Sequence, residues 1–126
     1  MDKRIVISGL VLLILAIILG AYGAHGLKKH LTIEQLNSFE VGIRYQFYQA
    51  IALLTIGLNA DKFKFSLNRF LLYSIIGIIL FSGSIYFLSI ASIFNLNKSL
   101  IGPITPIGGL FLIINWSILV YKIIKK

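Results

Sequence analysis

Residues 5–24 form a run of 20 positions without a charged side chain. About 20 helical residues suffice to cross the roughly 30 Å hydrocarbon core of a bilayer. Three further stretches are long and apolar enough, so we predict membrane spans at about 5–24, 42–59, 70–94 and 106–122. The chain is 58% apolar and 13% charged, against about 25% charged in ordinary soluble domains. The predicted fold class is all-α, a single polytopic membrane domain (residues 1–126) built as a four-helix bundle.

Two of the predicted helices carry start signals. Thr32 and Gln35 have the N-cap and N3 spacing of a capping box, which predicts a helix over 33–58. At about 1.5 Å per residue this helix is roughly 39 Å long, so its first turns should lie in the headgroup region. Thr105 is the predicted N-cap of the last helix, with Pro106 at its first position.

The distribution of Lys and Arg predicts the orientation. Of the 12 basic residues, eight lie in segments that share a side with the termini. These eight are Lys3, Arg4, Lys62, Lys64, Arg69, Lys122, Lys125 and Lys126, and the other four are Lys28, Lys29, Arg44 and Lys98. The positive-inside rule then predicts cytoplasmic termini in a multi-pass protein of the plasma or inner membrane. Topology and anionic lipid account for the net charge of +8, so nucleic acid is not a predicted partner.

The first span also resembles a signal peptide in outline, because Lys3 and Arg4 precede it and small residues end it at 21–24. Its apolar run of about 18 residues is longer than the usual 7–15 of a cleaved signal. Cleavage would also cut through the most distinctive motif of the chain. We therefore expect the first span to be retained.

Small residues within the spans predict close helix packing. The first span carries four at multiples of four residues, which are Ser8, Ala16, Gly20 and Ala24. Such a stripe lets helix backbones approach each other, and a ligand groove is the alternative interpretation. Ser82 and Gly83 suggest packing in the third span. Asn115 lies near the predicted bilayer midplane, where an interhelical hydrogen bond should satisfy its amide.

A candidate polar site lies where the first two spans meet. Glu40 and Arg44 are one helical turn apart, and His25 ends the first span at similar depth. Together with Gln46 and Gln49 they form the predicted polar or ligand cluster, in which Glu40 pairs with both His25 and Arg44. The alternative is a snorkelling Arg44 and a His25 that serves only as an anchor.

The sequence predicts neither an enzyme nor a cofactor. It contains no Cys, which excludes a disulfide scaffold and a cysteine nucleophile. It also lacks a Ser/His/Asp set, an HExxH motif and a phosphate-binding GxxxxGK[ST] loop. No metal site is predicted, because His25 and His30 are five residues apart and no third ligand is evident.

Four motifs in order resemble the YgdD/YwdK-like family of small membrane proteins, also called domain of unknown function 423. They are GAYGAHGLKKHL, FEVGIRYQFYQAIALL, FSGSIYFL and GPITPIGGLFLIINW, at 20–31, 39–54, 81–88 and 102–116. The resemblance implies a four-helix inner-membrane protein without established catalysis and with suggested roles in membrane integrity. The family pattern usually has His where this chain has Gln49, which argues against a proton relay there.

Two functions remain as predictions. The first is a non-enzymatic membrane protein that supports envelope integrity or a partner complex. The second is a protein that binds or transports a lipid or small molecule between helices 1 and 2. Predicted partners are membrane lipids, other membrane proteins or a second copy of the chain. A dry interior with satisfied polar groups would favour the first function, and a polar cavity between the first two helices the second.

Overall fold

The computed structural model describes residues 1–95, 97 and 99–125. Within them the regular structure is helical, and it confirms the predicted all-α class. The four main helices are α1 (Lys3–His25), α2 (Ile33–Leu58), α3 (Asn68–Phe94) and α4 (Ile104–Lys125). Lys98 and Lys126, which belong to the predicted charge distribution, lie outside the described residues.

Helix α1 is capped by Asp2, whose side chain accepts a hydrogen bond of 3.0 Å from the backbone N–H of Arg4. The Arg4 guanidinium also pairs with this carboxylate at 3.2 Å. This side-chain hydrogen bond holds the pKa of Asp2 below its ordinary value. At its other end α1 closes with a bond from the Gly26 N–H to the Tyr22 carbonyl.

Helix α2 begins with the predicted capping box. The Gln35 N–H donates to the Thr32 hydroxyl oxygen at 3.2 Å, and the Thr32 N–H donates to the Gln35 side-chain oxygen at 2.9 Å. Both donors that the motif should satisfy are thus paired, and the predicted start is confirmed.

Helix α3 is not a regular α-helix throughout. One turn of π-helix, Ile79–Gly83, interrupts it near its middle. The helix ends at Asn95, which takes the left-handed conformation with φ 54°, and asparagine tolerates this better than most residues. The span was predictable from the apolar run, whereas the π turn was not, because a π turn has no strong composition signal.

The start of α4 differs from the predicted one. It begins at Ile104, so Thr105 lies inside the first turn and is not the N-cap. The Thr105 hydroxyl instead shares a hydrogen bond with the Ser84 hydroxyl of α3. Pro106 is also in the first turn, where its missing N–H interrupts no helical hydrogen bond.

The helices run up and down. The Asp2 N–H donates to the Gly57 carbonyl at 2.9 Å, and the Arg4 guanidinium donates to the Asn68 side chain. One end of the bundle therefore holds the start of α1, the 59–67 link and the end of α4, and we call it the terminal end. The other, the opposite end, holds the 26–32 link, the end of α3 and the start of α4.

The core is divided between two clusters of buried apolar side chains. The cluster toward the terminal end contains Ile5, Leu53, Leu67, Phe70, Ile78, Leu112 and Leu119. The cluster between α1 and α2 toward the opposite end contains Ala16, Leu27, Leu31, Phe39 and Ile43. Pairs α1–α2 and α3–α4 thus pack as hairpins, joined where α2 meets α3.

Large apolar side chains cover the outside of α1 and α4. Ile14 is 55% exposed and Ile113 is 64% exposed. Exposure of such side chains is unfavourable in water but not in lipid. Within the described residues, Lys3–Lys29, Asn68–Phe94 and Ile104–Lys125 are long and apolar enough to span a membrane. Helix α2 is not among them, since it carries more polar residues, and the span at 42–59 stays a prediction.

Candidate functional site

The two glutamines of the predicted cluster are held inside the bundle. Gln46 is 3% exposed, and its Nε2 donates to the Leu12 carbonyl of α1 at 2.8 Å. Its Oε1 accepts from the Tyr86 hydroxyl of α3 at 2.7 Å. Gln49 accepts from the Trp116 Nε1 of α4 at 3.0 Å. Through these bonds α2 is tied to each of the other three helices.

Glu40 and Arg44 lie elsewhere, on the exposed side of α2. They line a cavity of about 300 Å³ between α1 and α2. The rest of its wall is apolar or small and consists of Gly20, Gly23, Ala24, Leu36, Phe39, Ile43 and Phe47. A polar-edged cavity does therefore exist between the first two helices, with one carboxylate and one guanidinium at its rim.

The predicted three-residue ion cluster is not formed. Among the described residues, a pair of opposite charges within 4 Å is found only at Asp2 and Arg4. Glu40 and Arg44 are both exposed, and exposed pairs gain too little to hold two long side chains together. His25, the last residue of α1, is exposed and does not line the cavity.

The buried face of α1 differs from the predicted stripe. Of its four residues only Ala16 is buried, whereas Ser8 and Gly20 are half-buried and Ala24 is exposed. The face against α2 instead has small residues at Gly9, Ala16 and Gly23, seven residues apart. Residues spaced by four are rotated about 40° past a full turn of the helix, whereas residues spaced by seven are rotated only about 20° short of two turns. A row with a spacing of seven therefore stays closer to one face of the helix.

Close approach explains the glycines on this face. A Cβ at Gly9 would lie 2.9 Å from Leu54 Cγ and 3.0 Å from the Ala50 carbonyl oxygen. In contrast, a Cβ at Gly20 would meet Ile43 at an ordinary 3.9 Å. Gly20 and Ala24 line the α1–α2 cavity, and the ligand-groove interpretation of these two positions stays a prediction.

The other predicted packing residues differ from one another. The Ser82 hydroxyl donates to the Gly42 carbonyl of α2 at 2.8 Å. Asn115 donates from α4 to the Ser74 hydroxyl at 2.9 Å and to the Phe70 carbonyl at 3.3 Å, an interhelical bond of the expected kind. Gly83 is half-buried, and a Cβ there would meet only its own helix, at Ile79.

Sequence reasoning missed three residues that join the helices. Tyr86 and Trp116 donate the side-chain bonds to α2, and Gly108 lies against the backbone of the π turn. Their only signals were indirect. Tyr86 and Gly108 lie within the FSGSIYFL and GPITPIGGLFLIINW motifs, and Trp116 is the only tryptophan.

A larger cavity was also not predicted. About 560 Å³ lie between α2, α3 and α4 toward the opposite end. Its polar lining consists mainly of the side chains Gln35, Ser38, Ser89, Ser92 and Thr105. These groups are neutral, and the Ser89 hydroxyl donates to the Ile85 carbonyl of its own helix. The cavity is suited to neutral polar groups and carries no charged side chain.

The interior between the helices is hydrogen-bonded throughout the part of the chain that is described. Within it every buried side-chain nitrogen and oxygen has a partner. A helical bundle with lipid-compatible outer faces and an internally paired polar core defines a class, the α-helical membrane proteins.

Comparison with known proteins places the chain within this class. Residues 19–109 match the family described as "Protein of unknown function (DUF423)", and the chain belongs to this family. A relative from Bacillus subtilis named UPF0382 membrane protein YwdK is 36% identical over 98% of either chain. UPF0382 membrane proteins of Staphylococcus epidermidis (36%, covering 98% of this chain and 97% of the relative) and Haemophilus influenzae (38%, covering 86% and 83%) are similar too. No solved structure matches the chain.

Proposed function

We propose that the protein is a non-enzymatic, multi-pass protein of the cell membrane that supports membrane integrity or a partner membrane complex. The observation that carries this proposal is the pairing of the buried polar side chains across helices. Gln46, Gln49 and Asn115 are each engaged by a neighbouring helix. Buried groups that are satisfied in this way fix one arrangement of helices and present no free chemistry.

The proposal includes cytoplasmic termini. It is supported by the basic side chains that share the terminal end with the start of α1, among the described residues Lys3, Arg4, Lys62, Lys64, Arg69, Lys122 and Lys125. Of the described residues counted for the other side, Lys28 and Lys29 lie in the 26–32 link and Arg44 lies on α2. An excess of Lys and Arg on one side is the usual mark of the cytoplasmic side.

A second candidate function is the binding of a lipid or small molecule between α1 and α2. The observation that favours it is the cavity of about 300 Å³ with Glu40 and Arg44 at its rim. This volume is at the lower end of the range for small-molecule sites. Gly20 and Ala24 open the wall, since neither has a side chain larger than a methyl group.

One experiment separates the two functions. In cells that lack the native gene, the wild-type chain, Gln46→Leu and the double variant Glu40→Gln/Arg44→Gln would be compared for survival of hypo-osmotic shock and for dye uptake. The same three proteins would be purified for thermal unfolding. Gln46→Leu removes the acceptor of the half-buried Tyr86 hydroxyl, which costs about 1–3 kcal/mol where that hydroxyl stays unpaired.

For the integrity function, we expect Gln46→Leu to lower both unfolding temperature and survival, while the double variant matches the wild type in both. For the binding function, the double variant should lose survival at an unchanged unfolding temperature. If removal of the gene changes neither survival nor dye uptake, the integrity proposal fails.

A further inference from the structure

A third cavity, at the terminal end, is lined by cations. About 180 Å³ lie between α3 and α4, extending from the start of α3 and the end of α4 inward to Asn115. Arg69 of α3 and Lys122 of α4 contribute positive charge, and Ser66 and Tyr73 contribute hydroxyl groups. Its other walls are Phe65, Phe70, Asn115, Ile118 and Leu119. No carboxylate is among these lining residues, so the cavity has the charge of an anion site.

The described residues supply no counter-ion to either cation. Within the described residues no carboxylate lies within 4 Å of Arg69 or Lys122. Lys122 is half-buried, and its ammonium lies 5.6 Å from the centre of the Phe65 ring. A half-buried ammonium without a carboxylate loses hydration that a bound anion would replace with charge-assisted hydrogen bonds.

The two hydroxyl groups can serve as further donors. The Ser66 oxygen accepts from the Asn68 N–H at 3.2 Å, which leaves its own O–H to donate. The Tyr73 ring is fixed by an edge contact with Phe111, with centroids 5.7 Å apart. Two cations and two hydroxyls around one cavity are donors that suit the oxygens of a phosphate group.

The surroundings favour a phosphate that belongs to a lipid. A neighbouring cavity shares Phe65 and adds Lys62, Lys64 and Ile123. On the side of the cations that faces the opposite end, Ile118 and Leu119 form an apolar wall on α4, which is long and apolar enough to span a membrane. Basic residues at the terminal end, followed by apolar residues toward the middle of the bundle, match the order of headgroup and acyl chain in a lipid.

We propose that this cavity binds the phosphate of an anionic phospholipid. Arg69 and Lys122 pair with the phosphate oxygens, Ser66 and Tyr73 donate to them, and an acyl chain lies along Ile118. A soluble phosphate ester shares this headgroup chemistry. The site is separate from the α1–α2 cavity and does not depend on the function proposed for the whole chain.

The test counts lipids retained by the purified full-length chain. Native mass spectrometry in detergent would follow a titration with dioleoylphosphatidylglycerol. The variant Arg69→Gln/Lys122→Gln removes two charges from the site, and the control Lys28→Gln/Lys29→Gln removes two from the opposite end. We expect the wild type and the control to retain one lipid with equal affinity, and the site variant to bind at least tenfold more weakly.

Two further titrations identify the source of the phosphate. Dioleoylphosphatidylcholine should bind no better to the wild type than to the site variant. Inorganic phosphate at millimolar concentration should not displace phosphatidylglycerol. Displacement by inorganic phosphate would overturn the lipid assignment, and equal retention of phosphatidylglycerol by the site variant and the wild type would overturn the site.

The single variant Arg69→Gln tests the site even where the double variant misfolds. Arg69 is exposed, so Arg69→Gln should leave the unfolding temperature unchanged and still weaken lipid retention by at least threefold. The charge-preserving variant Arg69→Lys/Lys122→Arg should retain the lipid. Loss of retention there, together with no effect of Arg69→Gln, would mean that shape and not charge governs binding, and the proposal would fall.

Discussion

Replacement of Gly108 by Ala tests the closest approach between α3 and α4. A Cβ at this position would lie 2.6 Å from the Leu80 carbonyl carbon and 2.8 Å from Phe81 Cα, with the Phe81 nitrogen also in contact. All three are backbone atoms of the π turn, so no side-chain rotation can make room. The two helices must move apart instead.

The magnitude follows from the required displacement. Carbon atoms pack at about 3.5–4.0 Å, so the helices must separate locally by about 1 Å. Overpacking of this kind typically costs 1–3 kcal/mol. Replacement of Gly by Ala inside a helix also stabilises the folded protein by about 0.5–1 kcal/mol, because Ala loses less conformational entropy on folding. We therefore expect Gly108→Ala to lower the free energy of unfolding by up to about 2.5 kcal/mol, with a central value slightly above 1 kcal/mol.

Gly109→Ala is the matched control. It makes the same chemical change one residue along the same helix, but its Cβ would lie 3.4 Å from the Phe81 ring atom Cδ1, close to ordinary contact. Thermal and denaturant unfolding of both variants in one detergent would measure the difference. We expect Gly109→Ala to equal the wild type or exceed it by up to about 1 kcal/mol. A Gly108→Ala variant as stable as Gly109→Ala would refute the packing argument.

Three further predictions concern topology and polar contacts. Single cysteines at Ser66 and Asn97 should differ in their labelling by an impermeant thiol reagent on intact cells. Only the cysteine at Asn97 should be labelled, and labelling of only the cysteine at Ser66 would mean that the orientation is the reverse. Asn115→Leu should lower stability by only about 0.6 kcal/mol, the average for such interhelical bonds, while a loss of function at unchanged stability would favour a binding role. In a double-mutant cycle, Glu40→Gln and Arg44→Gln should be additive within about 0.5 kcal/mol, since no ion pair joins them, and a larger coupling would restore the predicted cluster.

The helices and their ends were largely predictable because their causes are local. The capping box at Thr32 and Gln35 depends on a three-residue spacing, and both of its bonds are formed. Apolar runs likewise predict helices whatever their partners are. Thr105 is the exception, because α4 begins at Ile104 and the Thr105 hydroxyl bonds to Ser84 of another helix, a contact that local spacing does not predict.

The polar contacts were not predictable from one sequence, because they join positions far apart in the chain. Gln46 bonds to Leu12 and Tyr86, and Gln49 bonds to Trp116. Sequence spacing along α2 could place these glutamines on a helix but not choose their partners. Helical spacing also left the packing face of α1 undetermined, since rows of four and of seven residues both contain small side chains.

The polarity of α2 has a structural explanation that bears on the number of spans. Helix α2 is the one main helix of the described chain that is not apolar enough to be assigned to the membrane by composition. Its buried Gln46 and half-buried Gln49 are satisfied by α1, α3 and α4, and its Gly42 carbonyl accepts from Ser82. Polar groups that are paired inside a bundle do not meet lipid, so they do not carry the cost that hydropathy assigns to them. We therefore expect α2 to cross the membrane with its glutamine face against the other three helices, while the exposed Glu40 and Arg44 lie toward the headgroup region at its opposite end.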